Sequence, residues 1–82
     1  MSKTKFELIR GSDVLRDGMY LELYVSEASP LRQVAEVFYS DVTQEFFLTC
    51  YEDNIPLEAV EKLISKARIS LPPVRQEQKK ST

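Results

Sequence analysis

Apolar and polar residues alternate strictly through the middle of the chain. Between residues 19 and 25 every second residue is aliphatic or Met, and the intervening residues are Tyr20, Glu22 and Tyr24. Residues 33–40 and 45–51 also divide into two alternating sets, although both sets contain apolar residues, and they are rich in β-branched and aromatic side chains. A period of two with such residues predicts a β-strand in each segment. A weaker alternation around Phe6 and Leu8 leaves open a further strand at residues 5–9.

The connections between these segments differ in length and composition. Residues 41–44 form a short link of the length that hairpins use, so the strands on either side should pair antiparallel. Residues 26–32 contain Pro30 and small polar residues, which indicates a loop. Gly11 and Gly18 bracket a polar stretch around Val14 and Leu15, where we expect a loop or a single helical turn.

After residue 54 the hydrophobic period changes from two to between three and four. This spacing predicts one amphipathic helix of about 15 residues. Pro56 suits its first turn, Asp53 or Asn54 can cap it, and Pro72 and Pro73 end it. Its apolar stripe comprises Leu57, Val60, Leu63, Ile64, Ala67 and Leu71.

These elements predict a two-layer α+β domain. It consists of an antiparallel meander sheet of three or four strands, with one C-terminal helix packed on one face. The domain should span residues 1–71, and residues 72–82 should form a disordered polar tail. The helix should bury the aliphatic sheet face, made of Met19, Leu21, Leu23, Val25, Val37, Tyr39, Phe46 and Leu48.

The opposite sheet face is unusually apolar for a face in contact with water. It should carry six apolar or aromatic residues: Tyr20, Tyr24, Val34, Phe38, Phe47 and Tyr51. Soluble monomers seldom expose so large an apolar patch. Residues before Met19, including Val14 and Leu15, could fold over this face, or it could contact a second copy or another protein. We expect the contact with protein, and we take the six residues as the candidate interface.

Charge is distributed unevenly along the chain. Residues 13–61 contain eleven acidic and two basic side chains, a net charge of −9, whereas residues 62–82 carry +5. An acidic domain is a poor ligand for phosphate backbones, and the aromatic face lacks the Lys and Arg of RNA-binding sheets, so no nucleic-acid partner is expected. The acidic surface favours either simple solubility or recognition of a basic partner.

Candidate catalytic and metal-binding groups are few. The chain has no His, and its one thiol, Cys50, is expected to lie buried beside Phe46 and Leu48 and to be inert. Carboxylates at Asp13 and Asp17 lack the spacing of a calcium loop. Two isolated glycines cannot form a phosphate-binding loop. We therefore expect no catalytic residue, metal site, cofactor or small-molecule substrate.

Apolar runs of at most three residues exclude a membrane span and a secretory signal, so we expect a cytoplasmic protein without membrane contact. The composition favours a small non-catalytic protein that acts by protein–protein contact, as a homodimer through the aromatic sheet face. The alternative is an acidic immunity or inhibitor-type protein that neutralises a basic toxin or nuclease.

Overall fold

A computed structural model describes residues 5–26 and 30–73 of the chain. These residues form four strands and one helix: β1 (Phe6–Asp13), β2 (Gly18–Val25), β3 (Arg32–Ser40), β4 (Phe46–Cys50) and α1 (Leu57–Ser70). The strands follow one another across an open antiparallel sheet in the order β1-β2-β3-β4, and α1 packs against one face. The predicted two-layer α+β meander is confirmed, with four strands. From residue 74 onward, the expected polar tail lies outside the described residues.

The first strand is longer than the pattern at residues 5–9 suggests. β1 pairs with β2 along its whole length, from Phe6 opposite Val25 to Asp13 opposite Gly18. A tight turn joins the two strands, and Asp17 in this turn has a left-handed backbone with φ of 54°. The expected loop at residues 11–18 is therefore reduced to residues 14–17, the four residues between the strands.

One irregularity interrupts the pairing of β2 with β3. Leu23 lies opposite Ala35, but the next residue, Tyr24, lies opposite Gln33. Val34 is thus the extra residue of a β-bulge, which places two residues of one strand against one of its partner. Alternation on β3 shifts by one position there, so residues before and after Val34 do not follow a single period of two.

The helix begins and ends close to the predicted positions. Pro56 occupies the N-cap position without a side-chain hydrogen bond, so neither Asp53 nor Asn54 caps the helix. Asn54 instead adopts a left-handed conformation, with φ of 57°, in the turn before it. At the other end, the amide of Leu71 donates to the carbonyl of Ala67.

The core lies between α1 and the central strands. Ala59, Leu63 and Ala67 of α1 are buried, four residues apart. They pack with a cluster from β2 and β3: Leu21, Leu23, Val25, Val34, Ala35, Val37 and Tyr39. Leu57 and Ile64 were predicted in the apolar stripe but are exposed, Leu57 by 71%. Leu63, Ala67 and Leu71 of the predicted stripe are buried, as expected. Ala59 joins them, because small side chains let the helix approach the sheet closely.

The helix does not cover the outer strands of the sheet. It packs mainly on β2 and β3, because a helix about 10 Å across spans only about two strands spaced about 4.8 Å apart. Leu48 is therefore 48% exposed and Cys50 is exposed. The expected burial of these two residues was wrong, whereas Met19 and Phe46 are partly buried at the edges of the core.

Candidate functional site

The sheet face turned away from α1, here called the outer face, carries five of the six predicted interface residues. Tyr20, Phe38 and Phe47 lie side by side across β2, β3 and β4. Tyr24 lies nearer the end of β2, and Tyr51 follows β4, with its amide donating to the carbonyl of Val34. The alternation on β2 and β4 therefore assigned these aromatic side chains to the right face.

Val34 is the sixth predicted interface residue, and the structure places it elsewhere. It is 2% exposed and belongs to the core cluster beneath α1. The bulge is the reason, because the extra residue reverses the alternation of β3 at this point. Gln33 takes the outer-face position opposite Tyr24.

The centre of the outer face is covered by a residue that the sequence did not single out. Arg16 extends from the β1–β2 turn, and its guanidinium carbon lies 4.1 Å from the centroid of the Phe38 ring. Its Nη2 donates to Oε2 of Glu36 at 2.9 Å, and its Nε donates to Oδ2 of Asp13 at 2.5 Å. Hydrogen bonds to Glu36 and Asp13 raise the pKa of Arg16. The hydrogen bonds that Arg16 donates to Asp13 lower the pKa of Asp13. The guanidinium thus combines an ion pair with a cation–π contact.

The described part of residues 1–18 does not fold over the outer face, apart from one side chain. β1 extends the sheet sideways instead of folding over it. Val14 and Leu15 project into solvent, and Leu15 is 95% exposed. Only Arg16 of the turn reaches onto the outer face, so the aromatic residues are covered at one point.

Both glycines of the chain make room for aromatic rings on this face. A Cβ on Gly18 would lie 2.5 Å from the ring of Phe38 and 2.1 Å from the carbonyl oxygen of Tyr39. A Cβ on Gly11 would lie 2.4 Å from the hydroxyl of Tyr20. Phe38 is consequently held between Gly18 and Arg16, and it is buried.

A second polar group lies beside this arrangement. Glu22 lies directly opposite Glu36 on the neighbouring strand, and its Oε1 accepts a hydrogen bond of 2.9 Å from the Tyr24 hydroxyl. This bond raises the pKa of Tyr24. Glu36 is 5% exposed and paired with Arg16, whereas Glu22 is partly exposed at the surface. Partial loss of water around its ring and hydroxyl raises the pKa of Tyr51, although the residue as a whole is exposed.

The exposed apolar surface of the outer face is displaced toward β4. Phe38 is buried and Tyr20 and Tyr24 are half-buried, but Phe47 is 47% exposed and Tyr51 is 54% exposed. Leu48 and Cys50 on the same strand are exposed on the other face. Phe47, Leu48, Cys50 and Tyr51 thus give the domain an exposed apolar edge along β4, here called its β4 side.

Within residues 5–26 and 30–73, no three Cys, Asp or Glu side chains come together as metal ligands. The exposed Cys50 thiol has no His available anywhere in the sequence to act as its base. In the described part of the chain, no helix has the length and apolar character needed to cross a bilayer.

Comparison with known proteins adds no further assignment, because the chain matches no protein family, no curated protein and no solved structure.

Proposed function

We propose that the protein is a non-catalytic binding module that acts by protein–protein contact, first of all by forming a homodimer through the β4 side of its aromatic outer face. One observation carries this proposal: Phe47 and Tyr51, two large aromatic side chains four residues apart along the β4 edge, are each about half exposed on the outer face of a folded domain. Aromatic side chains in such positions are the residues that dominate protein interfaces. Exposure of a contiguous apolar patch to water is unfavourable, and such patches mark interaction sites.

The distribution of charge agrees with this location. Asp13 and Glu36 on the outer face are paired with Arg16, and residues 46–51 contain no charged side chain. A second copy carries the same net charge of −2, so it approaches most favourably where neither copy presents a carboxylate. The β4 side of the domain meets this condition.

Sedimentation equilibrium on the full chain at micromolar concentration tests the proposal. The wild-type protein should sediment as a dimer, and Phe47→Glu should sediment as a monomer that keeps the circular dichroism spectrum of the folded domain. Leu57→Glu is the matched control, since Leu57 is also a large apolar residue, is more exposed and lies on the helix, and it should leave the dimer intact. A wild-type monomer at all concentrations would contradict the proposal, as would unfolding of the Phe47→Glu variant.

A second candidate function, recognition of a basic partner by an acidic inhibitor-type protein, is favoured by a different observation. Arg16 shows how this face holds a guanidinium, stacked on an aromatic ring and paired with a carboxylate. Glu22 and the half-buried Tyr20 and Tyr24 offer similar chemistry beside it. An arginine-rich peptide at low salt should then change the tyrosine fluorescence, and Glu22→Gln should abolish the change. An unchanged spectrum would reject this candidate.

The cellular location belongs to the same proposal. An exposed thiol without a partner thiol in the chain suits a reducing compartment, since disulfides are rare there and thiols stay reduced. We therefore place the protein in the cytoplasm. Alkylation of Cys50 in intact cells, read by mass spectrometry, should find the thiol reduced; oxidation of most of the population would contradict the placement.

A further inference from the structure

The outer side of β4 presents unpaired backbone groups. In an antiparallel ladder, successive residues direct their N–H and C=O groups alternately toward one neighbouring strand and away from it. The amide of Tyr51 donates to Val34, and the carbonyl of Glu45 accepts from Ser40, so the odd-numbered residues of this segment face β3. The N–H and C=O groups of Phe46, Leu48 and Cys50 consequently point to the free side of β4. Among the described residues, no strand pairs with that side.

The two edges of the sheet are protected to very different degrees. β1 is an edge strand with three charged side chains in its eight residues, namely Glu7, Arg10 and Asp13. Charged residues on edge strands are a common protection against pairing with another chain. β4 has none, and its sequence is Phe-Phe-Leu-Thr-Cys. An exposed, uncharged and apolar edge strand is the kind that accepts another strand.

We propose that β4 pairs antiparallel with β4 of a second copy, across a two-fold axis at Leu48. This inference rests on the proposed self-association and specifies how it is made. Leu48 would lie opposite Leu48 of the second copy, and Phe46 opposite Cys50. All three residues direct their backbone groups outward, so the register forms hydrogen bonds at each of these positions. The two four-stranded sheets would become one sheet of eight strands.

The side chains support a second copy of this chain as the occupant. Phe46, Leu48 and Cys50 lie on the helix face, next to a groove lined by Val37, Ile64, Ala67 and Arg68. Pairing would bring Leu48 of the second copy against this groove, where Leu48 and Ile64 are now exposed. On the outer face, Phe47 would lie beside Thr49 of the second copy, so its ring would gain cover.

Charge also agrees with self-pairing in this register. The nearest carboxylates along the chain are Glu45 and Glu52, which flank the uncharged segment. Glu36 lies opposite Thr49 on β3, but it is buried and paired with Arg16. Glu52 already pairs with Arg32, with Nε and Oε2 2.5 Å apart. The central residues of both strands therefore meet without a like-charge contact, which would be destabilising directly across a strand pair.

Amide hydrogen exchange of the full chain, followed by NMR at dilute and concentrated conditions, tests the pairing. The amides of Phe46, Leu48 and Cys50 should exchange at least about tenfold more slowly in concentrated samples than in dilute ones, because they are protected only in the dimer. The amides of Phe47 and Thr49 bond to β3 and should be protected in both samples. The Leu8 and Arg10 amides, which point to the free side of β1, should exchange rapidly in both.

The outcomes separate this inference from the proposed function. A sedimenting dimer in which Phe46, Leu48 and Cys50 stay unprotected would overturn strand pairing but retain self-association through the outer face. Protection of Leu8 in place of Leu48 would also overturn it, in favour of the β1 edge. A monomer at every concentration would overturn both proposals.

A cross-linking experiment checks the register independently. In Leu48→Cys combined with Cys50→Ser, the two introduced thiols would lie opposite each other with Cα atoms about 5.5 Å apart, a separation that a disulfide can bridge. Mild oxidation should convert most of the protein to a covalent dimer. Val42→Cys with Cys50→Ser is the control, since Val42 is exposed in the β3–β4 turn, and it should cross-link little. Equal cross-linking of both variants would contradict the register.

Discussion

Arg16 lies over the ring of Phe38, 4.1 Å from its centroid, although Arg16 is in the turn between β1 and β2 and Phe38 is in β3, 22 positions further along the chain. The contact brings a cation from the β1–β2 turn to the middle of an apolar sheet face. It also places the guanidinium against Glu36, a carboxylate that is almost fully buried. Arg16 therefore stabilises both a buried charge and a buried ring.

Removal of this side chain should destabilise the fold. We expect Arg16→Ala to lower the free energy of unfolding by about 1–3 kcal/mol, because Glu36 loses its partner and Phe38 its cover. The partial exposure of Arg16 keeps the loss below that of a fully buried pair. Urea unfolding measures it. Adding Glu36→Gln to Arg16→Ala should recover part of the loss, and a double variant less stable than Arg16→Ala would contradict the assignment.

Acid should weaken the same turn through Asp13. Hydrogen bonds from Arg16 hold the pKa of Asp13 below its ordinary value of 3.8. A carboxyl whose pKa is lowered by folding contributes stability above its unfolded pKa and loses it as pH falls through the folded value. In the range below pH 3.8, the thermal unfolding midpoint should therefore fall more steeply with decreasing pH in the wild type than in Asp13→Asn. Parallel curves for the two proteins would show that the Arg16 contact is not maintained in solution.

Core packing can be tested with two leucines of the same helix. Leu63 is fully buried against β2 and β3, so Leu63→Ala should cost about 2–5 kcal/mol. Leu57 is mostly exposed, so Leu57→Ala should change stability by about 0.5 kcal/mol or less. Chemical denaturation of both variants measures the difference. Similar losses would place the helix in a different rotation on the sheet.

The two glycines should differ in their tolerance of a methyl group. In Gly18→Ala the new Cβ meets the backbone carbonyl of Tyr39, which cannot move without disturbing β3. In Gly11→Ala it meets the end of the Tyr20 side chain, which can turn away. We expect Gly18→Ala to destabilise by about 1–3 kcal/mol and Gly11→Ala by less. Thermal unfolding ranks the pair, and the reverse order would contradict the positions of the two rings.

Local patterns predicted most of the fold and part of the candidate site. The alternation at Tyr20, Tyr24 and Phe47 assigned their faces correctly, because side chains on a regular strand have a fixed period. The face predicted for Val34 was wrong, because a bulge depends on how two distant segments pair and cannot be recognised from the hydrophobic period of either segment. The position of Arg16 over the outer face was not predicted either, because its partners, Phe38 and Glu36, lie on β3, which is distant along the chain.

The exposure of Leu48 and Cys50 had a third origin. Both residues lie on the predicted inner face, so the periodicity was correct and the expected burial was not. Cover depends on where the helix crosses the sheet, and that is decided by the close approach of Ala59 and Ala67 to the central strands. A hydrophobic pattern gives the direction of a side chain but not the extent of the layer above it.

The unequal edges of the sheet also bear on how large an assembly can become. A chain with two adhesive edges would add copies at both ends and grow into a fibre, since nothing in such a contact limits the number of subunits. Here the charges on β1 would remain at both outer ends after β4 had paired. Assembly would then stop at two copies, because Glu7, Arg10 and Asp13 would prevent a further copy from pairing with β1. Replacing these three charged residues with uncharged ones would allow pairing at both edges of the sheet, and the dimer would then grow into a fibre.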